Sequence, residues 1–289
     1  MKKLVLLSFV LLAFVAVEHS HAQVVENKPA ENKPPLDGFY VKENNVGKKP
    51  RDYVFVREAD VYITRRIWRM IDFREKFNQG FYYPIVPTQD RVSFMSMVIA
   101  GLKDGRITAY DAFTDDFSKP LTYEEFMTAN TNIVEREVEN LDNPGETKKQ
   151  TDTITFSSEH VKMLRVKEDW FIDRQRSMRD IRIIGLAPVT QKFNEDGSFR
   201  SYQTMFWLHY DLCRDLFTNT EAFNRKNTAK RMSYDDVFAW KRFFNSYIIK
   251  EDNQQDRYIT DYLSGWQLLA ESERIKLELL NLEEDLWEY

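Results

Sequence analysis

The chain is short of the residue types that most enzymes and metal sites require. It has one cysteine and four histidines in 289 residues, and two of the histidines lie among the first 21. Cys213 stands alone, so an intrachain disulfide is excluded, and no Cys and His set has the spacing of a zinc site. The nine glycines form no phosphate-binding loop. We therefore expect no metal and no cofactor, and we interpret Cys213 as a small buried residue.

The chain also lacks a strong excess of charge of one sign. The formal net charge is −5, and acidic and basic residues are interspersed. A nucleic-acid-binding protein would show a basic face, which argues against that class. After residue 22 no apolar stretch approaches the length that spans a bilayer, so no transmembrane helix is expected in the mature chain.

The N-terminus has the layout of an export signal. Lys2 and Lys3 precede the uncharged apolar run Leu4–Val17, and the small residues of Ser20–Ala22 suit a cleavage site before Gln23. We predict that residues 1–22 are a signal peptide; the alternative is a buried N-terminal helix. No cysteine stands directly after the apolar run, where a lipid-modified cysteine would lie, so the mature protein is expected to be soluble and to carry no lipid anchor.

The next segment is typical of a linker. Residues 23–50 contain the tetrapeptide ENKP twice, and such proline- and charge-rich tracts bury too little apolar surface to fold, so we predict a disordered linker. We expect an N-terminal helical α+β part over residues 51–140, a polar loop over 141–152 and a C-terminal part over 153–289. Alternatively, residues 51–289 form one domain.

Hydrophobic residues at helical spacing predict helices in the N-terminal part. One is expected over Asp60–Asn78 and a second over Arg91–Lys103, which is apolar around most of its circumference and is therefore expected to be buried. Thr122 and Glu125 form a capping box, which predicts the start of a third helix.

The hydrophobic period changes in the C-terminal part. Apolar and charged residues alternate over Leu164–Ile172, which is typical of a strand, and Ile181–Ala187 and Thr204–Tyr210 predict two more strands. We expect an antiparallel β-meander with helices at both ends of the ordered chain. The predicted fold class is therefore α+β.

Two helices are predicted after the meander. Ser233 and Asp236 are expected to cap the first, whose apolar face contains Val237, Trp240, Phe244, Tyr247 and Ile248. The second is expected to begin near Asp256, with an apolar stripe of Ile259, Tyr262, Leu263, Trp266, Leu269 and Leu280.

Two weak catalytic candidates can be identified. His209 and Asp211 are two residues apart in a predicted strand, where their side chains would point the same way and could hydrogen-bond. Asp111, Asp115 and Asp116 form a carboxylate cluster that lacks the spacing of a calcium loop. We interpret the first as a structural polar pair and the second as turn chemistry, and we assign no catalytic residues.

Aromatic residues and arginine are abundant, and Phe, Tyr and Trp make up 14% of the chain. Exposed Trp, Tyr and Arg are the residue types that protein interfaces favour. Several lie at the rim of the helix predicted over Asp60–Asn78 and in the extended segment after it. Our interface candidates are Arg65, Arg66, Trp68, Arg69, Tyr82 and Tyr83. The alternative is ordinary surface charge over a large core.

Three segments together resemble one known family. They are RRIWRMIDFREKFNQGFYYP at Arg65–Pro84, RVKEDWFIDRQRSMRDIRIIGLAPV at Arg165–Val189 and MSYDDVFAWKRFFNSYIIK at Met232–Lys250. In order and without large gaps, they resemble the GldN family, also called PorN. The resemblance extends over roughly residues 51–289. These are packing patterns rather than catalytic fingerprints, so it is their combination that carries the resemblance.

The resemblance implies a non-catalytic structural subunit. Proteins of this family act in the periplasmic ring of the type IX secretion and gliding motility machinery, associated with the outer membrane. The implied partners are a GldK/PorK-like lipoprotein, a GldM/PorM-like transmembrane protein and further copies of the chain, without nucleic acid. Two alternatives from other classes stay open: a periplasmic enzyme of unknown reaction, and a carrier or chaperone for exported proteins.

The layout of the N-terminus gives a first testable prediction. The chain isolated from the cell envelope is expected to begin at Gln23, because signal peptidase cleaves after small residues such as Ala22. Intact-mass spectrometry of the purified protein measures this directly. A mature protein that retains residues 1–22 would contradict the prediction.

Overall fold

The computed structural model describes residue 39 and residues 47–88, 91–130, 132–139, 147–154, 156–193, 198–224, 227, 229–240 and 244–285. The predicted signal peptide and most of the predicted linker lie outside the described residues. Asn45–Tyr289 forms one compact unit. Strands from both predicted parts, before and after residue 141, pair in one sheet of this unit.

The unit contains mixed strands and helices. In chain order the strands are β1 (Val61–Asp72), β2 (Ala109–Tyr110), β3 (Pro120–Leu121), β4 (Asn132–Glu139), β5 (Thr147–Ile154), β6 (Val161–Asp173), β7 (Met178–Phe193), β8 (Phe199–Thr204), β9 (Trp207–His209), β10 (Glu221–Ala222), β11 (Met232–Ser233) and β12 (Tyr247–Glu251). The helices are α1 (Gln79–Tyr82), α2 (Phe94–Lys103), α3 (Tyr123–Asn130), α4 (Tyr210–Asn219), α5 (Tyr234–Trp240) and α6 (Trp266–Glu284).

An eight-stranded antiparallel sheet organises the fold. Its order is β12-β1-β6-β7-β9-β2-β3, and β8 also pairs with β7. Strand β6 is bonded to β1 on one edge and to β7 on the other along nearly its whole length. Strands β4 and β5 form a separate hairpin, as do β10 and β11. The fold is α+β, as the sequence predicts.

Helices cover one face of the sheet. Helices α2, α4 and α5 supply Phe94, Phe217, Tyr234 and Phe238, whose rings meet edge to face or tilted with centroids 5.5–6.2 Å apart. Such aromatic contacts add to the free energy gained by burying apolar area. Farther along the same face, α6 packs its Ile275 and Leu279 in a smaller cluster with residues of β1, β6 and β12.

Several local predictions are confirmed. Helix α2 ends at Lys103 as predicted and begins at Phe94, where Ser93 caps it. Glu125 accepts the backbone N–H of Thr122 at 2.9 Å and donates its own backbone N–H to the Thr122 hydroxyl at 3.3 Å, which completes the capping box of α3. Ser233 and Asp236 cap α5 in the same reciprocal way.

The predicted helix over Asp60–Asn78 is wrong, because Val61–Asp72 forms strand β1. Ile67 and Ile71 suggested a helical stripe, but a spacing of four residues also places two side chains on one face of a strand. Both are buried in the clusters that the helices cover, whereas Trp68 is buried in a cluster on the other face. A strand buried on both faces lacks the alternation that identifies a half-buried strand.

The two C-terminal helices differ from their predicted bounds. Helix α5 ends at Trp240, so Tyr247 and Ile248 belong to strand β12 and not to a continued helical face. The last helix begins at Trp266 and not near Asp256. Gly265, directly before it, has φ of +63°, a left-handed conformation that glycine adopts at no steric cost and that separates the helix from the preceding turn.

Two further boundaries are corrected. The predicted loop over 141–152 is a strand at its C-terminal end, because β5 begins at Thr147 and pairs with β4; residues 140–146 lie outside the described residues. The predicted strand Thr204–Tyr210 is divided, with β8 ending at Thr204, β9 covering Trp207–His209 and Tyr210 opening α4. Within the described part of the chain, no helix has the length and apolar character needed to cross a membrane.

The lone cysteine gives a prediction about packing. Cys213 is buried in α4, and burial raises its thiol pKa to about 12, so it stays protonated at neutral pH. Cys213→Ala is expected to lower the free energy of unfolding by about 1–2 kcal/mol through lost packing. Urea denaturation measures the loss. In the native protein the thiol is expected to resist alkylation, and rapid native-state alkylation would contradict this.

Candidate interaction surfaces

The interface candidates on β1 do not share one face. Because successive side chains of a strand point to opposite sides, Arg65 and Arg69 lie on one face of the sheet and Arg66 and Trp68 on the other. The helix rim on which they were expected to meet is absent. Whether they contact another protein stays a prediction.

Arg65 ties three elements together. Its Nη1 donates to Glu251 Oε1 of β12 at 2.9 Å and to Glu278 Oε1 of α6 at 2.7 Å. The hydrogen bond from this guanidinium lowers the pKa of the Glu278 carboxyl. Arg65 therefore connects β1, the edge strand and the last helix.

Arg66 makes a bidentate pair across the sheet. Its Nε and Nη2 donate to the two carboxylate oxygens of Asp169, directly opposite on β6, at 2.6 and 2.7 Å. This hydrogen bonding raises the guanidinium pKa. Planar fork-to-fork pairs of this kind are the stronger class of ion pair and fix the strand register as well.

Trp68 is buried and acts as an anchor within the sheet. Its indole N–H donates to Asp115 Oδ2 at 2.8 Å. The ammonium groups of Lys250 and Lys167 lie 4.3 and 5.8 Å from its ring centroid. Lys167 also donates to the Asp115 carbonyl at 2.7 Å, so the loop after β2 is fastened over this face of the sheet.

The remaining candidates differ in exposure. Arg69 Nη2 donates to the Ser246 carbonyl in a long hydrogen bond of 3.4 Å. The Tyr82 hydroxyl accepts a hydrogen bond from Lys162 Nζ at 2.7 Å, whereas the Tyr83 side chain is half exposed. Of the six candidates, Tyr83 therefore offers the most free surface.

The three aspartates of the candidate carboxylate cluster make structural contacts within the fold. Asp115 accepts the indole N–H of Trp68. Asp111 and Asp116 each accept the backbone N–H of the residue two positions later, at 3.3 and 3.2 Å, as aspartates in turns commonly do. The hydrogen bonds from the Ser118 backbone and hydroxyl lower the pKa of Asp116. No group of three His, Cys, Asp or Glu side chains among the described residues is arranged to hold a metal ion.

The predicted same-side placement of His209 and Asp211 is wrong. Strand β9 ends at His209, and Asp211 lies in the first turn of α4. The His209 ring packs edge to face against Phe117 with centroids 5.1 Å apart. Its buried Nδ1 has no hydrogen-bond partner in the described part of the chain. The two residues do not form the pair that nucleophilic catalysis would require.

Helix α6 carries an exposed apolar surface, and the predicted stripe contains three of its four residues, Trp266, Leu269 and Leu280. Its inner face buries Ile275 and Leu279, but Trp266 is 76% exposed, Leu269 61%, Leu277 49% and Leu280 40%. At 100° per residue these four side chains lie within about 80° of one another on the outward side. We call them the outer stripe. The helix therefore has two apolar faces, and one of them meets solvent.

One family model matches the chain. It is described as gliding motility associated protein GldN, and it matches residues 56–288, nearly the whole compact unit. No curated protein matches the chain significantly.

The contacts of Arg65 give a test of its structural role. Arg65→Glu places a third carboxylate beside Glu251 and Glu278 and is expected to lower the free energy of unfolding by about 1–3 kcal/mol. The matched control is Arg106→Glu, which removes only an exposed pair with Asp104 and is expected to change stability by about 0.5 kcal/mol or less. Thermal unfolding measures both, and equal effects would contradict the structural role of Arg65.

Proposed function

Because the chain belongs to the GldN family of gliding motility associated proteins, we propose that it is a structural subunit of the periplasmic ring of the type IX secretion and gliding machinery. The observation that carries this proposal is the family match, which extends over residues 56–288. This family is associated with gliding motility and is not a known enzyme family.

The proposed partners follow from the family resemblance. A GldK/PorK-like lipoprotein would hold the chain at the outer membrane, and a GldM/PorM-like transmembrane protein would contact it from the energised core. Further copies of the chain would complete the ring. A closed ring requires two different surfaces on each subunit, since head-to-tail contacts generate a cycle.

The contacts of the polar side chains support a structural role. The carboxylates of the loop after β2 fasten that loop to Trp68 and Lys167. Arg65 and Arg66 of β1 pair with carboxylates of β6, β12 and α6. These carboxylates and arginines therefore hold the sheet and its covering loop together.

The outer stripe of α6 supports assembly. Interfaces draw much of their binding energy from aromatic and large apolar anchors that become fully desolvated. Trp266 and Leu269 stand out from the first turn of α6, while the opposite side of the helix packs against the sheet. We propose that this surface meets another protein of the machinery.

Affinity purification tests the function directly. The full chain, tagged at its C-terminus and expressed in its native cell, is expected to co-purify with an outer-membrane lipoprotein of the ring after solubilisation in mild detergent. A stable complex with exported cargo and no ring lipoprotein would favour a carrier role and contradict the proposal.

The outer stripe gives a sharper prediction. Trp266→Glu with Leu269→Glu is expected to leave the fold intact, because both side chains are exposed. The same change is expected to reduce recovery of the assembled complex at least about tenfold, which corresponds to about 1.4 kcal/mol. The matched control is Gln267→Glu with Gln254→Glu, which adds two negative charges to exposed positions outside the outer stripe. Equal recovery of both variants would remove the stripe from the interface.

A further inference from the structure

An extended segment at the N-terminal end of the compact unit lies against the rest of the unit without joining its sheet. We call residues 47–57 the arm. Among the described residues, no backbone-to-backbone hydrogen bond joins residues 47–56 to any other segment. The arm is therefore held by side chains of the body and not by a strand ladder.

One aromatic ring is the centre of this attachment. Two guanidinium groups lie over the Tyr53 ring, with Arg182 of β7 at 4.0 Å and Arg214 of α4 at 4.2 Å from the ring centroid. Arginine stacks well on aromatic faces because its guanidinium is planar and weakly hydrated. We call the space between these two arginines the cleft.

The same arginines bind the backbone of the arm. Arg214 Nη2 donates to the Arg51 carbonyl at 2.5 Å, and Arg182 Nη2 donates to the Val54 carbonyl at 2.8 Å. Farther toward the N-terminus, Lys48 Nζ lies 2.9 Å from Asp236 Oδ2 of α5. The cleft thus recognises an extended peptide with an aromatic residue between two accepting carbonyls.

The cleft is organised by contacts within the body. Arg214 is buried and pairs with the buried Asp235 of α5, with Nε 3.1 Å and Nη2 3.3 Å from its carboxylate oxygens. Asp235 also accepts the Tyr210 hydroxyl at 2.8 Å. These contacts position Arg214 whether or not an arm is present, so the cleft is prepared to bind one.

Two apolar side chains of the arm stay exposed to solvent while the arm occupies its own cleft. Val54 is 56% exposed and Phe55 86% exposed, directly after the bound Tyr53. An open cavity of about 700 Å³ lies beside this part of the arm, lined by Phe55, Phe171 and Ile184 among others. Apolar side chains in this position gain free energy when a second body covers them.

A short joint connects the arm to the sheet. A single helical turn, Glu58–Asp60, separates the arm from β1, and Arg57 pairs with Asp60 across it at 2.7 Å. Ten extended residues span up to about 33–36 Å. A body of this size has a radius of gyration of about 18 Å. The arm is therefore long enough to reach the surface of a neighbouring copy.

We propose that, in an assembly, the arm of one copy occupies the cleft of the next copy. This inference rests on the proposed function, since it concerns contacts between copies in the ring. Exchange preserves every contact of the cleft, because the two copies are identical, and it brings the body of the copy that supplies the arm close to the exposed Val54 and Phe55. Arm exchange in one direction is head-to-tail, which is the kind of contact that closes a ring.

Isotope-resolved cross-linking tests the exchange with the unmodified chain. Equal amounts of ¹⁴N- and ¹⁵N-labelled chain are assembled with the lipoprotein and treated with a carbodiimide, which joins a lysine amine and a carboxylate as an amide with loss of water. Lys48 and Asp236 are a suitable pair, since their charged atoms are 2.9 Å apart. In exchanged assemblies about half of the Lys48–Asp236 cross-links are expected to contain both isotopes, as random mixing requires.

Two controls calibrate this measurement. Lys276 and Glu273 are 3.2 Å apart on one helix, so their cross-link is expected to carry a single isotope in every sample. Lys48→Arg keeps the charge of the arm but removes the reactive amine, so it is expected to abolish the Lys48–Asp236 product. The unassembled chain is expected to give only single-isotope Lys48–Asp236 products.

The outcomes separate the two proposals. Assemblies that form normally but contain only single-isotope Lys48–Asp236 products would overturn arm exchange and leave the ring proposal standing. Failure of the unmodified chain to assemble with the lipoprotein would overturn both. As a second measurement, Tyr53→Ala is expected to reduce assembly about tenfold. Tyr62→Ala, which removes another arginine-stacked tyrosine outside the arm, is expected to leave it unchanged.

Discussion

The pairing of β6 with β1 and β7 is the constraint on which the rest of the structure depends. Strand β6 has thirteen residues, is bonded along both edges, and is buried over most of its length on both faces. Its polar side chains must therefore find partners within the fold, because an unpaired buried charge is costly. Lys167 meets the loop after β2, and the buried carboxylate of Glu168 accepts the Trp170 indole N–H at 2.8 Å.

This constraint explains the many charged and aromatic residues of β1 and β6. On such strands the charged residues connect the strands to one another, to the loops that cover them and to α6. The apolar residues between them fill two separate layers, one on each face of the sheet. The outer stripe of α6 and the arm are surfaces outside the sheet that stay open to other proteins. Both present aromatic or large apolar side chains to solvent in a chain whose large core is already covered. An assembly subunit is the kind of protein that would keep such surfaces.

The sequence predicted local features better than long-range ones. The two capping boxes are encoded within four residues and were predicted correctly. Strand β1 was misread as a helix because burial on both faces removes the alternation of a strand. The partners of Arg65 lie 186 and 213 residues away, so no local pattern indicates them. The predicted stripe of the last helix contains Trp266, Leu269 and Leu280 of the outer stripe, but only the packing of Ile275 and Leu279 against the sheet shows that this side of the helix meets solvent.

The central claim is that this chain repeats within a closed structural ring. Electron microscopy of the assembly reconstituted from the purified full-length chain and the ring lipoprotein tests that claim most directly. The account predicts closed rings in which the chain recurs at regular angular intervals, with α6 of each copy covered by protein density. Discrete complexes holding a single copy of the chain, or a chain that stays monomeric beside the lipoprotein, would contradict it.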